Sequence, residues 1–319
     1  MFPVKEFDVF CELLNAENTI SEGDVLRGAV RFDLESETNV KSVFVKVKGE
    51  AAVEWFEIFK KCIFVYKARR RYFKVKEYLI APQNRAIELA KGLHHLDFVL
   101  RIPEGDFPSS FRALNGTILY TLEVKIPMTW RQTFRWKTEL NFLSKSYALL
   151  GGMRSRQSSS VDKRVGIFSR GRVNMRVTAN KQCTKGEVLY IVAHISNMSS
   201  KKVTPKFKLI QTTRYKVRGA TPGQQITRLI LRTTKDPVKS GTEATVSCHF
   251  PILDDMSYSI HNCSILKVWH TIKVSLDISF ACNPTVLLPL DIIPAKYLSP
   301  PDDSDAGPSA APPAVPHLE

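Results

Sequence analysis

No apolar run in this chain is long enough to cross a bilayer as a helix. The longest uncharged, apolar-rich stretch, Ile278 to Leu290, has 13 residues and holds two prolines, whereas a helical span needs about 20 residues. The N-terminal residues M-F-P-V-K-E-F-D put acids where a signal peptide would have its apolar core, so a cytoplasmic protein is expected. The six cysteines are widely spaced and form no C-x-x-C. They read as reduced thiols serving as small hydrophobes, not as a disulfide framework. The chain has no P-loop, no G-x-G-x-x-G, no G-x-S-x-G and no H-E-x-x-H, so nothing in it marks a catalytic class. Long amphipathic helices are also missing. The best helical candidate, Gln83 to Lys91, lies between Pro82 and Gly92 and has room for one or two turns. Acidic side chains are in deficit: 31 Asp and Glu against 46 Lys and Arg give a net charge of +15. Such a chain attracts nucleic acid, anionic lipid headgroups, or acidic and phosphorylated protein segments.

What is present is a pattern stated twice. Residues 21–32 read S-E-G-D-V-L-R-G-A-V-R-F and residues 184–195 read T-K-G-E-V-L-Y-I-V-A-H-I. Each is a small hydroxylated residue, a charge, a glycine (Gly23 or Gly186), an acid, and then alternating apolar positions. A turn glycine feeding a half-buried strand gives that pattern. Two further echoes follow in the same order. Residues 96–103 (L-D-F-V-L-R-I-P) match 245–251 (T-V-S-C-H-F-P), and 118–126 (I-L-Y-T-L-E-V-K-I) match 265–274 (I-L-K-V-W-H-T-I-K-V). Period-2 alternation at Val43, Val45 and Val47, at Leu96, Phe98, Leu100 and Ile102, and at Val274, Leu276, Ile278 and Phe280 predicts strands with one face toward a core. Asn115-Gly116 predicts a tight hairpin turn, and Pro222-Gly223 and Ser240-Gly241 predict bends. The expected fold is all-β: two tandem sandwiches, residues 1–146 and 165–294, joined by a linker over 147–164 rich in Gly, Ser and Arg. A disordered Pro/Ala/Asp tail is expected over 295–319.

The ordered set of segments at 21–28, 40–50 (V-K-S-V-F-V-K-V-K-G-E), 71–80 (R-Y-F-K-V-K-E-Y-L-I), 89–103, 107–111 (F-P-S-S-F), 161–163 (V-D-K) and 274–289 (V-S-L-D-I-S-F-A-C-N-P-T-V-L-L-P) resembles the α-arrestins, the arrestin-domain-containing proteins. The resemblance implies two arrestin-type, immunoglobulin-like β-sandwiches. It also implies a non-enzymatic, cofactor-free trafficking adaptor, cytoplasmic and peripheral to the plasma membrane and endosomes. Such an adaptor binds receptor or transporter cargo and promotes endocytosis and endosomal sorting. The family recruits HECT-type ubiquitin ligases through P-P-x-Y motifs in the tail. Here the tail reads Pro312-Pro313-Ala314-Val315, with Val315 where the tyrosine would stand. That departure fits an adaptor that has lost its ligase hook, a partner that works through another arrestin, or a truncated isoform. A coat subunit resembling retromer's arrestin-like component is the alternative reading of the fold, and a nucleic-acid binder a distant one.

The densest basic cluster, Lys67, Arg69, Arg70, Arg71, Lys74 and Lys76, is the candidate anion-binding strip for cargo tails or lipid headgroups. Regular alternation places Arg70, Tyr72, Lys74 and Lys76 on one face and Phe73 and Val75 on the other. The same cluster also reads as a solvated face that keeps a strand from aggregating. A second cluster, Arg154, Arg156, Lys163, Arg164 and Arg170, reads as a soluble linker or an anion screen near the hinge. Asp302, Asp303 and Asp305 in the tail could fold back on a basic face. His94 and His95 are adjacent and so face opposite ways. His261 and Cys263 share a face but lack a second pair with zinc spacing, so no metal is expected. Phe134 and Trp136 sit at i, i+2 like core residues, which argues against a stacking surface for nucleic acid.

Overall fold

A computed structural model describes residues 4–12, 18–128, 132–150, 154–164, 171–220, 223–279 and 282–298. The first half contains β1 (Val4–Glu12), β2 (Val25–Leu34), β3 (Thr38–Val40), β4 (Val43–Phe59), β5 (Cys62–Ile80), β6 (Ile87–Leu89), β7 (Gly92–Arg101), β8 (Phe111–Ala113), β9 (Gly116–Pro127) and β10 (Thr133–Leu140). One sheet runs β1-β2-β7 and the other β10-β9-β4-β5, with β8 pairing β9 and β3 pairing β6. After a single helical turn, α1 (Tyr147–Leu150), the second half contains β11 (Arg156–Arg164), β12 (Arg172–Asn180), β13 (Gln182–Cys183), β14 (Val188–Met198), β15 (Thr204–Tyr215), β16 (Gln224–Thr234), β17 (Thr242–Pro251), β18 (Leu266–Asp277) and β19 (Thr285–Ile292). Its sheets run β11-β12-β14-β17 and β13-β19-β18-β15-β16.

The glycine turns of the repeat are equivalent at atomic detail, while the echo of 96–103 in 245–251 is offset by two residues, so that Ile102 stands in the place of Ile252 and not of Phe250. Gly23 and Gly186 both adopt left-handed backbone, with φ of 77° and 81°. The Gly23 N–H donates to Ile102 O at 3.2 Å and the Gly186 N–H to Ile252 O at 2.8 Å. The N–H groups of Ile102 and Ile252 answer to the carbonyls of Asp24 and Glu187, each at 2.8 Å. The acid after each glycine closes the turn. Asp24 Oδ2 accepts from the Ser21 N–H at 2.7 Å, and Glu187 Oε2 accepts from the Thr184 N–H at 2.9 Å. From there β2 pairs β7 as β14 pairs β17, and β4 pairs β9 as β15 pairs β18. Alternating apolar positions form the two cores. Val43, Val45, Val47, Leu122 and Val124 lie in the first, and Val274, Leu276, Ile191 and Phe207 in the second.

Three expected features differ. Residues 156–164, expected as linker, form β11, an edge strand paired along its length with β12. Val161 alone of its side chains packs on the core. A strand with one side chain on the core needs no apolar alternation, so R-Q-S-S-S-V-D-K-R carries none. Gln83–Lys91 forms no helix; Ile87–Leu89 is the short strand β6. Residues 295–298, expected to begin the tail, form a 3-10 turn (Ala295–Tyr297), and Leu298 packs with Leu143, Tyr147 and Ile293. The tight turn between β8 and β9 is one residue earlier than expected: Leu114 and Asn115 form it, and Gly116 is already the first residue of β9, paired with Ala113.

The first core does not end at the first half. Tyr215, Ile260, Cys263, Leu266 and Val268 belong to its buried cluster. Polar contacts trace the same junction. Asn115 Nδ2 donates to Gln224 Oε1 at 2.5 Å, Asn262 Nδ2 to Asp106 Oδ1 at 2.7 Å, and the Tyr147 hydroxyl to Ser259 O at 2.9 Å.

Candidate anion-binding face

The basic cluster lies on β5, the edge of the β10-β9-β4-β5 sheet. Its faces are not those of a regular strand. Pairing with β4 shifts register between Gly49 and Glu50, so that Gly49 opposes Phe73 but Glu50 opposes Arg71. Tyr72 is the extra residue of a β-bulge, which inverts the alternation beyond it. Lys67, Arg69 and Arg71 on one side of the bulge, and Lys74 and Lys76 on the other, therefore share the outer face. Arg70 does not. It turns toward the second half, where its guanidinium donates to Ser264 Oγ at 3.0 Å and lies 5.7 Å from the Tyr72 ring. The expected strip of Arg70, Lys74 and Lys76 on one face is thus corrected.

The neighbouring strands add to this face. Lys46 and Lys48 of β4 stand opposite Lys76 and Lys74. Lys46 is ion-paired with Glu123 of β9, which also holds Lys125 at 2.9 Å. Burial lowers the Lys46 pKa against the pull of Glu123. Burial would raise the Glu123 carboxyl, but the bonds from Lys46 and Lys125 outweigh it and hold the group below its ordinary range. Glu50 is shared by Lys48 at 3.8 Å, Arg71 at 3.9 Å and Arg69 at 4.0 Å, and Lys67 pairs with Glu54 at 2.9 Å. Lys46, Lys48, Lys67, Arg69, Arg71, Lys74, Lys76 and Lys125 together outnumber Glu50, Glu54 and Glu123. The Lys76 ammonium sits 3.6 Å from the Phe44 ring centroid and 3.7 Å from that of Tyr78. The surplus cations offer charge-assisted hydrogen bonds to an incoming phosphate or carboxylate.

The other singled-out residues are not brought into one site. His94 stacks on Phe32 at 5.0 Å, and His95 bonds Asp97 at 3.0 Å. His261 bonds Asp291 at 2.7 Å, while Cys263 is buried in the first core. Among the described residues, no three His, Cys, Asp or Glu cluster as metal ligands would. Phe134 and Trp136 pack around Phe7. Arg154 is committed to Glu187. Arg170 and the tail residues Pro312, Pro313 and Val315, with Asp302, Asp303 and Asp305, lie outside the described residues. No described helix is long and apolar enough to cross a membrane.

Sequence reasoning missed the end of the β4–β5 hairpin. The signal was there: apolar residues crowd both sides of Lys60-Lys61, broken only by Glu57 before the pair and by nothing from Cys62 to Tyr66.

Two β-sandwiches built on one plan, sharing a core across their junction, define the architecture of a tandem binding scaffold. Residues 8–146 match the arrestin (or S-antigen) N-terminal domain and residues 169–297 the arrestin C-terminal domain. The chain belongs to the arrestin family, as an α-arrestin. It is 24% identical over 290 residues to mouse arrestin domain-containing protein 4, covering 87% of this chain and 69% of that protein. It is 23% identical over 288 residues to the human protein of the same name, covering 87% and 68%. It is 20% identical over 289 residues to arrestin domain-containing protein 17 of Caenorhabditis elegans, covering 82% and 66%.

Proposed function

We propose that the chain is a trafficking adaptor that acts by binding and not by chemistry. It holds the cytosolic tails of receptors or transporters and commits them to endocytosis and endosomal sorting. The observation that carries this is the outer face of the β4–β5–β9 sheet, where Arg69, Arg71, Lys74 and Lys76 stand clear of full neutralisation on an arrestin scaffold. The ligand is an extended segment bearing phosphates or carboxylates, laid across the strands. Membership of the α-arrestins supports the adaptor role.

The test is anisotropy of a labelled acidic or phosphorylated tail peptide against wild type and the double variant Arg69→Glu/Lys74→Glu. Both side chains are exposed, so folding is retained and affinity falls at least tenfold. Equal affinity in the two proteins removes the face from the mechanism. Proximity labelling in cells that returns no receptors or transporters removes the adaptor role itself.

A further inference from the structure

The β4–β5 hairpin carries apolar side chains that the rest of the molecule leaves uncovered. Phe56, Ile58, Phe59 and Ile63 are 66, 69, 61 and 67% exposed, and Phe64 and Val65 are open as well. Clustered exposure of this kind marks an interaction site. Cross-strand pairing sorts the residues by face. Phe56 opposes Val65 and Ile58 opposes Ile63, in line with the outward pairs Glu54–Lys67, Ala52–Arg69 and Glu50–Arg71. On the other face Glu57 opposes Phe64 and Phe59 opposes Cys62. Only the base of that face is tied inward, where Trp55 stacks on Tyr66 at 5.2 Å and its indole N–H reaches Glu57 Oε1 at 3.3 Å. Lys60 and Lys61 form the turn. Read from the tip inward, the outer face is a lysine pair, an apolar patch of Phe56, Ile58, Ile63 and Val65, and then Lys67, Arg69 and Arg71.

We propose that this hairpin is an interfacial anchor that lies with its outer face on an anionic lipid bilayer. Cations bracket the apolar patch at both ends, and only a surface that is apolar in depth and anionic at its boundary satisfies both. Lying flat, the four apolar side chains enter the headgroup–acyl boundary, which admits such groups to about 5–10 Å. The lysine stems reach back to the phosphates, and the basic residues behind the patch meet the same layer of negative charge. The two strands hydrogen-bond each other, so the patch can sink without baring the backbone between them. A chain anchored this way sets its basic strip where a cargo tail leaves the membrane, yet the anchor does not depend on cargo.

The test uses the full chain and sedimentation with vesicles of phosphatidylcholine alone or with 30% phosphatidylserine. Wild type binds the anionic vesicles, and Ile58→Asp/Ile63→Asp loses at least tenfold in partitioning with an unchanged melting temperature. Lys60→Glu/Lys61→Glu, which leaves the patch intact, loses at least threefold. An environment-sensitive dye on Ile63→Cys of the outer face, in a Cys62→Ser/Cys282→Ser background, shifts to the blue on binding. Any of three results overturns the proposal: no binding of wild type to anionic vesicles, undiminished binding of the aspartate variant, or a dye that stays in water while the chain is bound. Self-association that the aspartate variant abolishes, with vesicles ignored, assigns the patch to a second copy and overturns it as well.

Discussion

His270 sits on the core face of β18, fully buried, with Ser259 Oγ 3.2 Å from its Nδ1. Its Nε2 has no hydrogen-bond partner. Burial is the main cause that lowers its pKa from 6.5 to about 4. A group that resists protonation in the folded state, but not in the unfolded one, makes stability fall on the acid side. Above pH 6.5 both states are neutral and nothing is lost; between pH 6.5 and 4 only the unfolded chain takes up the proton. The loss across that window is about 3 kcal/mol. Urea midpoints measured from pH 7 to 4.5 fall in wild type and fall less steeply in His270→Leu; parallel curves would refute the assignment. Glu50 works oppositely on the binding face. It draws on Lys48, Arg69 and Arg71 at once, and each such pair is worth about 0.2–1 kcal/mol. Glu50→Gln frees those cations, and affinity for an acidic tail peptide rises two- to fivefold at low salt, converging with wild type as salt screens both.

At the scale of the element, the bulge at Tyr72 decides which cations act together. Opposite it stands Gly49, whose added Cβ would lie 2.4 Å from Tyr120 Cε1 and 3.1 Å from Phe73. Tyr120 cannot give way: it is stacked on Phe142 at 3.9 Å and its hydroxyl donates to Pro108 O at 2.6 Å. Gly49→Val costs about 1–3 kcal/mol by overpacking, read as a lower urea midpoint at constant slope. An unchanged midpoint would show that the sheet relaxes there. The bulge also marks where the sequence stopped being legible. Turns declare themselves by Gly23 and Gly186, because few residues tolerate their backbone angles. Buried strands declare themselves by alternation. A bulge has neither mark. R-R-R-Y-F-K-V-K reads as regular alternation until the partner strand is seen, which is why Arg70 was placed with Lys74 and Lys76. Strand β11 is illegible for a related reason, since Val161 alone of its side chains packs on the core.

At the scale of the molecule, the repeat made the two sandwiches visible in the sequence, but their junction was not, because it joins residues that no pattern links. Gly116 opens β9 at that junction, and a Cβ there would meet Leu266 Cδ1 and Tyr215 Cε1, each at 2.8 Å. Gly116→Leu pries the halves apart. Limited proteolysis then cuts faster in the 141–155 connection, while each sandwich keeps its strand signal by circular dichroism. Protection equal to wild type would mean that the second half shifts to admit the side chain.

The shared core has a consequence for biosynthesis. Phe142 is the last of the first half's own residues in that core, yet Leu266 and Val268 complete it. With elongation at about 5–20 residues per second, the nascent first sandwich waits on the order of ten seconds for them. Until then it presents an unfinished apolar wall at the ribosome.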